Sequence, residues 1–212
     1  MSIINVGCQL NYVVRSPATY LLNLSVSRNA HQTVVSEALE VHPFQPAEEC
    51  DVGPLGNRIV RINAPLGELT INYCATVELH ADVVDSTNVC ETRYEQLSAD
   101  VLSYLNPSRY CESDKLYRFA FEEFGQLLPG YSRVTAICNW TYEQLYYTPG
   151  STGPTTTACD VLLQRTGVCR DYAHVAISLC RAMGIPARYV SGYAVDLQPQ
   201  DFHGFFEAYL DG

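Results

Sequence analysis

A chain of 212 residues and 23.6 kDa suffices for one large domain or two small ones, and 47% hydrophobic with 17% charged is a globular mix that excludes disorder and fibre. Thirteen Lys plus Arg against 23 Asp plus Glu leave a net charge of −10, so a protein relying on phosphate neutralisation would work against its own field, and nucleic acid is not an expected partner. No basic segment leads into a long apolar run at the start, and no eighteen apolar residues stand together, so a cytoplasmic protein without membrane contact is expected.

The nine cysteines are odd in number, and Cys74 and Cys138 lie in apolar runs, which reads as buried free thiols in a reducing compartment. No two cysteines are closer than ten positions and no HExxH is present, so neither a metal nor a cofactor is expected.

From residue 1 to about 80 the apolar residues alternate, as in Tyr20, Leu22, Leu24, Val26 and in Ile71, Tyr73, Ala75, Val77, Leu79. Turn-forming clusters at 15–18, 42–46, 51–57 and 64–67 divide this region into short strands, which predicts an antiparallel β-sandwich. The alternation fades over 81–112, and the spacing places the domain boundary at residue 105: a sandwich over 1–105 and an α+β domain over 106–212.

Beyond Cys111 the period becomes helical. Ser113 or Asp114 caps a first helix with Leu116, Phe119, Ala120 and Phe124 on one stripe. Ser132 is read as the cap of a second, ended by the turn at 149–154. Thr155-Thr156-Thr157 opens a third helix over 158–165, and a fourth begins near Cys169 and closes at Gly184 with Pro186 beyond. Two strands follow, over 187–194 and 202–210.

The stretch Thr166-Gly167-Val168-Cys169-Arg170-Asp171-Tyr172-Ala173-His174 puts a thiol after a glycine turn and in the first turn of a helix. Helix N-terminal amides favour thiolate over thiol, and the thiolate is the nucleophile. The plainer alternative is one more buried small side chain, which the polar Arg170-Asp171 argues against. Of the histidines near enough in sequence to serve as its base, His174 lies five residues on in the same helix, turned well round from Cys169, and reads as a packing residue. His203 lies in the last strand, on one face with Phe205, Glu207 and Tyr209, and a sheet beside the helix would bring it toward the thiol. Arg170 and Asp171 read as solvated or dipole-related, Glu207 as a salt-bridged strand carboxylate, Gln164 as one candidate oxyanion donor, and the fifteen tyrosines mainly as core or surface aromatics.

Pro107-Ser108-Arg109-Tyr110-Cys111-Glu112-Ser113-Asp114, then Pro154-Thr155-Thr156-Thr157-Ala158, then Gly167 to His174, then Ala182-Met183-Gly184-Ile185-Pro186-Ala187-Arg188-Tyr189-Val190-Ser191-Gly192-Tyr193, and finally Asp201-Phe202-His203 resemble, in order, the bacterial transglutaminase-like superfamily of cysteine-protease-like proteins. The likeness covers roughly 105–212, and the preceding β region resembles the N-terminal domain that accompanies many of these proteins. It implies a papain-like α+β core with Cys169 as nucleophile and His203 as general base and acid. The family's third member, an Asp on the strand after the histidine strand, falls beyond Gly212. Asp211 is a poor substitute, about 26 Å along an extended strand from His203. Where many relatives carry a tryptophan shortly after the histidine, this chain has Gly204-Phe205. The activity implied is cysteine-dependent acyl transfer on amide bonds of a peptide or protein substrate, by protease, amidase or transglutaminase chemistry. The rival reading is a protein-binding module that keeps the fold without turnover.

Overall fold

The computed structural model describes residues 2–80 and 83–211. The chain divides into two compact units, Met1–Val84 and Asp85–Gly212. The first contains β1 (Ser2–Val14), β2 (Ala18–Leu22), β3 (Gln32–His42), β4 (Ala47–Val52), β5 (Asn57–Ala64) and β6 (Gly67–Leu79). They form two antiparallel three-stranded sheets, ordered β1-β6-β3 and β2-β5-β4; four of the five strand breaks fall at the expected turn clusters, and the fifth, over 23–31, ends β2 at Leu22 before the Leu24 and Val26 that the alternation included.

The two central strands show why the alternation forms a sandwich. Val60, Ile62 and Ala64 of β5, and Leu69, Ile71, Tyr73, Ala75 and Val77 of β6, are all buried, and their neighbours in sequence mostly face out. The same period corrects one expectation: Cys74 lies on the outer face of β6 and is exposed, because the buried set is the odd-numbered one. Cys138 is also exposed, whereas Cys111 and Cys180 are buried.

The second unit begins with three short 3-10 turns between Ser86 and Leu105. The irregular stretch that the fading alternation assigned to the β region packs with the helices instead. Arg133 is ion-paired to Glu91 at 2.9 Å, Tyr131 donates its backbone N–H to the Val89 carbonyl, and Arg181 donates to the Asn106 carbonyl. The elements that follow are α1 (Ser113–Phe124), α2 (Tyr131–Gln144), β7 (Tyr146–Tyr147), α3 (Ala158–Gln164), β8 (Thr166–Gly167), α4 (Cys169–Ala182), β9 (Ala187–Gly192) and β10 (His203–Ala208).

Helix α4 is the centre of this unit. Ala173 and residues 175–177, 179 and 180 are buried, and α1, α2, α3, β9 and β10 all pack against it. Its apolar girth suits a helix enclosed on every side. Leu116, Ala120 and Phe124 of α1 and Ile137 of α2 complete the core, with Trp140 set edge-on to Phe119 and Phe124. Thr157 caps α3 as the sequence predicts, in a reciprocal capping box with Asp160. Ser132 does not cap α2: Gly130 occupies the cap position, and the Ser132 hydroxyl donates back to the Leu128 carbonyl. The α+β class is as expected, an N-terminal pair of antiparallel sheets followed by a helical core with a small sheet. Among the described residues no helix is long and apolar enough to cross a membrane.

Candidate active site at the head of helix α4

Cys169 is the first residue of α4 and is half-buried. The turn before it is shaped by Asp171, which departs from the solvated role expected for it. Its side chain is fully buried, and its Oδ2 accepts the backbone N–H of Val168 at 2.9 Å and the Thr152 hydroxyl. Arg170 donates to the same carboxylate at 3.1 and 3.2 Å and to the Thr152 hydroxyl at 2.9 Å. Val168 has no side-chain acceptor for the first-turn amides, so the helix start is fixed from inside by Asp171 reaching back. Gly167 belongs to this arrangement, because a Cβ there would stand 2.8 Å from the Asp171 Cβ. The loop 148–157 is pinned to the helix head through Thr152, and the Thr148 N–H donates to the Gly167 carbonyl at 2.9 Å.

Two tyrosines flank the thiol. β7 and β8 pair in parallel with Tyr147 opposite Gly167, which carries the Tyr147 side chain across the first turn of α4. Its ring lies 6.0 Å from that of Tyr172 on the first turn of α4. Desolvation, and next the Cys169 charge, push the Tyr147 phenol up, with a smaller contribution from Asp201. Tyr189 of β9 stands on the other side. Its phenol is raised by burial and then by Cys169, and its hydroxyl occupies the space a Cβ of Gly204 would need. The head of α4 and the start of β10 are therefore neighbours.

His203 is the first residue of β10, paired with Gly192 of β9, and is half-buried. Gly204 is buried and Phe206 and Ala208 pack on the core, so that face of β10 lies against α4. Phe205 and Glu207 are exposed on the other face, which His203 shares by alternation, as the sequence predicts. By the same alternation the His203 side chain lies on the face of β10 opposite the one packed on α4, and no hydrogen bond joins it to Cys169 among the described residues. Glu207 is ion-paired to Arg188 at 2.6 Å, the expected surface role. His174 is a packing residue, as predicted. It is 8% exposed, stacked on Tyr110 at 5.3 Å with a 4° tilt, and burial holds its pKa down to about 4.

Gln164, at the exposed end of α3, has no contact that ties it to Cys169 among the described residues. Asp211 lies past the end of β10 with a left-handed φ of 50° and is exposed, consistent with a turn. Sequence reasoning missed Tyr147, Thr152 and the burial of Asp171. Two-residue strands such as β7 and β8 have no period to read. The Thr152 to Asp171 bond joins residues 19 apart with no local signature.

The bacterial transglutaminase N-terminal domain matches residues 3–97, and the transglutaminase-like superfamily core matches residues 118–212. A crystal structure from Cytophaga hutchinsonii, named a candidate cysteine protease, is 40% identical and superposes with a TM-score of 0.94 over all of this chain and 76% of that one. The chain belongs to the transglutaminase-like superfamily. An uncharacterized protein of Mycobacterium leprae is 29% identical over 188 residues, 86% of this chain and 67% of that protein. An uncharacterized protein of Mycobacterium tuberculosis is 38% identical over 96 residues, 45% of this chain and 30% of that protein. These relatives of the transglutaminase-like chain all extend beyond the part it matches.

Proposed function

We propose that this transglutaminase-like chain performs acyl transfer through a thioester at Cys169, with a peptide or protein amide as substrate and His203 as general base and acid. The supporting observation is the position of Cys169: half-exposed, in the first turn of a buried helix that packs against the strand carrying His203.

In the proposed reaction Sγ attacks the amide carbonyl carbon, and the tetrahedral adduct collapses with cleavage of the C–N bond. The proton taken up by His203 goes to the leaving nitrogen. Water or a second amine then attacks the thioester, His203 accepts its proton, and the C–S bond breaks to return the thiol. Proteolysis and transamidation share the first half-reaction, so both belong to this proposal.

The test is p-nitrophenyl acetate as acyl donor, with release of p-nitrophenolate and intact-mass analysis. The expected result is a burst stoichiometric with protein and an acetyl adduct on the Cys169 peptide, both lost in Cys169→Ala with the circular dichroism unchanged. A Cys169→Ala protein with an undiminished burst refutes the proposal. So does acetylation of Cys169 no faster than of the exposed Cys74, Cys90 and Cys138, the outcome the turnover-free binding module predicts.

A further inference from the structure

Helix α4 and the β9–β10 sheet are tied together at two points, and these fix which end of the sheet the nucleophile meets. Near the C-terminal end of the helix, Arg181 donates to the Ala187 carbonyl, at the start of β9, at 2.7 and 2.9 Å. Further up, the His174 ring lies 5.4 Å from that of Tyr189, two residues along β9. Going back along α4 is therefore going forward along β9. Five more residues, about 7.5 Å of helix, bring Cys169 level with the end of the sheet, where Ser191 pairs with Gly204 and Gly192 with His203.

Tyr189 reaches toward that end. It pairs with Phe206, which packs on the core, so it shares with Phe206 and Gly204 the face of the sheet turned to α4. Its side chain leans along the strand until the hydroxyl meets Gly204: a Cβ there would stand 2.1 Å from the hydroxyl oxygen and 2.7 Å from the ring carbon that bears it. Glycine at 204 is thus the notch that admits the phenol. The ring is backed by His174, itself stacked on Tyr110 at 5.3 Å. Tyr189 is 40% exposed, and among the described residues its hydroxyl has no hydrogen-bond partner. An acyl-transfer cleft needs such a fixed, unengaged donor for the oxygen that becomes negative in the tetrahedral adduct.

We infer that Tyr189 is a catalytic residue of this site, its hydroxyl donating a hydrogen bond to the acyl carbonyl oxygen in the cleft between the first turn of α4 and Gly204. The inference rests on the acyl-transfer reading above. The bond strengthens as negative charge grows on that oxygen and weakens when the adduct collapses, while the proton stays on the phenol throughout. Burial raises the phenol, which keeps it a donor across the neutral range and leaves proton removal from Sγ to His203.

The experiment compares two reactions of the Cys169 thiol in the full chain. Acylation by p-nitrophenyl acetate passes through an oxyanion; alkylation by iodoacetamide, a displacement at saturated carbon, does not. In Tyr189→Phe, which keeps the ring on His174, acylation is expected to slow by about 10²-fold, the effect of losing one oxyanion donor, while alkylation stays within about twofold of the wild type. Gly204→Ala pushes the hydroxyl out of its notch and is expected to slow acylation by a similar factor. The double variant is expected to be no slower than Tyr189→Phe alone, because both changes remove one group. Acylation at the wild-type rate in Tyr189→Phe overturns the inference. A proportional fall in both reactions also overturns it, because the phenol then acts on the thiol or its packing. A double variant slowed by the product of the single effects overturns it too, because the hydroxyl then does not work from the notch at Gly204. Should the wild-type Cys169 be acylated no faster than the exposed Cys74, Cys90 and Cys138, the acyl-transfer reading itself fails and takes the inference with it.

Discussion

The two units bury ionisable groups in contrasting ways. In the first, the Arg58 guanidinium is fully buried between strands and all its donors are engaged: by Glu37 at 2.7 and 3.0 Å, by Glu49 at 2.9 Å, and by the Val26 carbonyl at 3.0 Å. Hydrogen bonding to Arg58 holds the Glu37 carboxyl down to about 2. Arg58 is the fully buried member, and removing Glu37 would leave its guanidinium short of a partner where water does not reach. In the second unit, the buried polar groups Asp171 and His174 stand on α4 within one turn and a half of an accessible thiol. Asp171 spends its hydrogen bonds on shaping a helix end that stays open, and His174 is buried as a neutral ring between Tyr110 and Tyr189. The first arrangement locks a scaffold. The second holds a half-buried thiol in place without covering it.

Acid separates the two most strongly. His174 titrates at about 4 when folded and near 6.5 when unfolded, so the unfolded state binds more protons between those values. The second unit therefore loses stability as pH falls from 6.5 to about 4, by about 3 kcal/mol for such a shift. Glu37, depressed to about 2, stabilises the first unit above its unfolded value near 4.5, and that contribution is lost only as pH falls from there toward 2. Trp140, the single tryptophan, lies in the second unit, so its fluorescence against denaturant reports that unit alone. The expected result is a midpoint that falls between pH 6.5 and 5 in the wild type and is flat over that range in His174→Phe, before Glu112 of the same unit, held down to about 2, begins to lose its contribution. Parallel slopes in the two proteins would break the contrast.

A smaller effect sharpens it. Asp171→Asn removes a buried charge while keeping the shape, and the new NH₂ faces Arg170 or the Val168 N–H, so one donor goes unpaired. A loss of about 2 kcal/mol is expected in the Trp140-monitored transition. An unchanged midpoint would mean that Asp171 does not fix the head of α4.

What the sequence made legible follows from what repeats. Period-two runs such as Ile71 to Leu79, the stripe of Leu116, Ala120 and Phe124, and the Thr157 cap all have local causes, and each is found in place. The glycine turn into Cys169 is equally local and gives the start of α4 to the residue. What was hidden depends on residues distant in sequence. The reach of Thr152 to Asp171 decides whether Asp171 is solvated or buried, and the pairing of β7 with β8 decides that Tyr147, among fifteen tyrosines, stands opposite Gly167 in the turn before Cys169. The boundary at residue 105 falls within the stretch 81–112, where the alternation has faded and the helical period has not begun. The compact units divide after Val84 because Glu91 reaches Arg133 across 42 residues, a link no window of sequence contains.

The central claim is that the thiol of Cys169 is activated by the helix head together with His203. The direct measurement is the rate of iodoacetamide alkylation of Cys169 against pH in the wild type and in His203→Ala, followed by peptide mass spectrometry. The account predicts a wild-type Cys169 that reacts faster than Cys74, Cys90 and Cys138 near neutral pH, and a profile that moves to higher pH when the imidazole is removed. Superimposable profiles for the two proteins would contradict it.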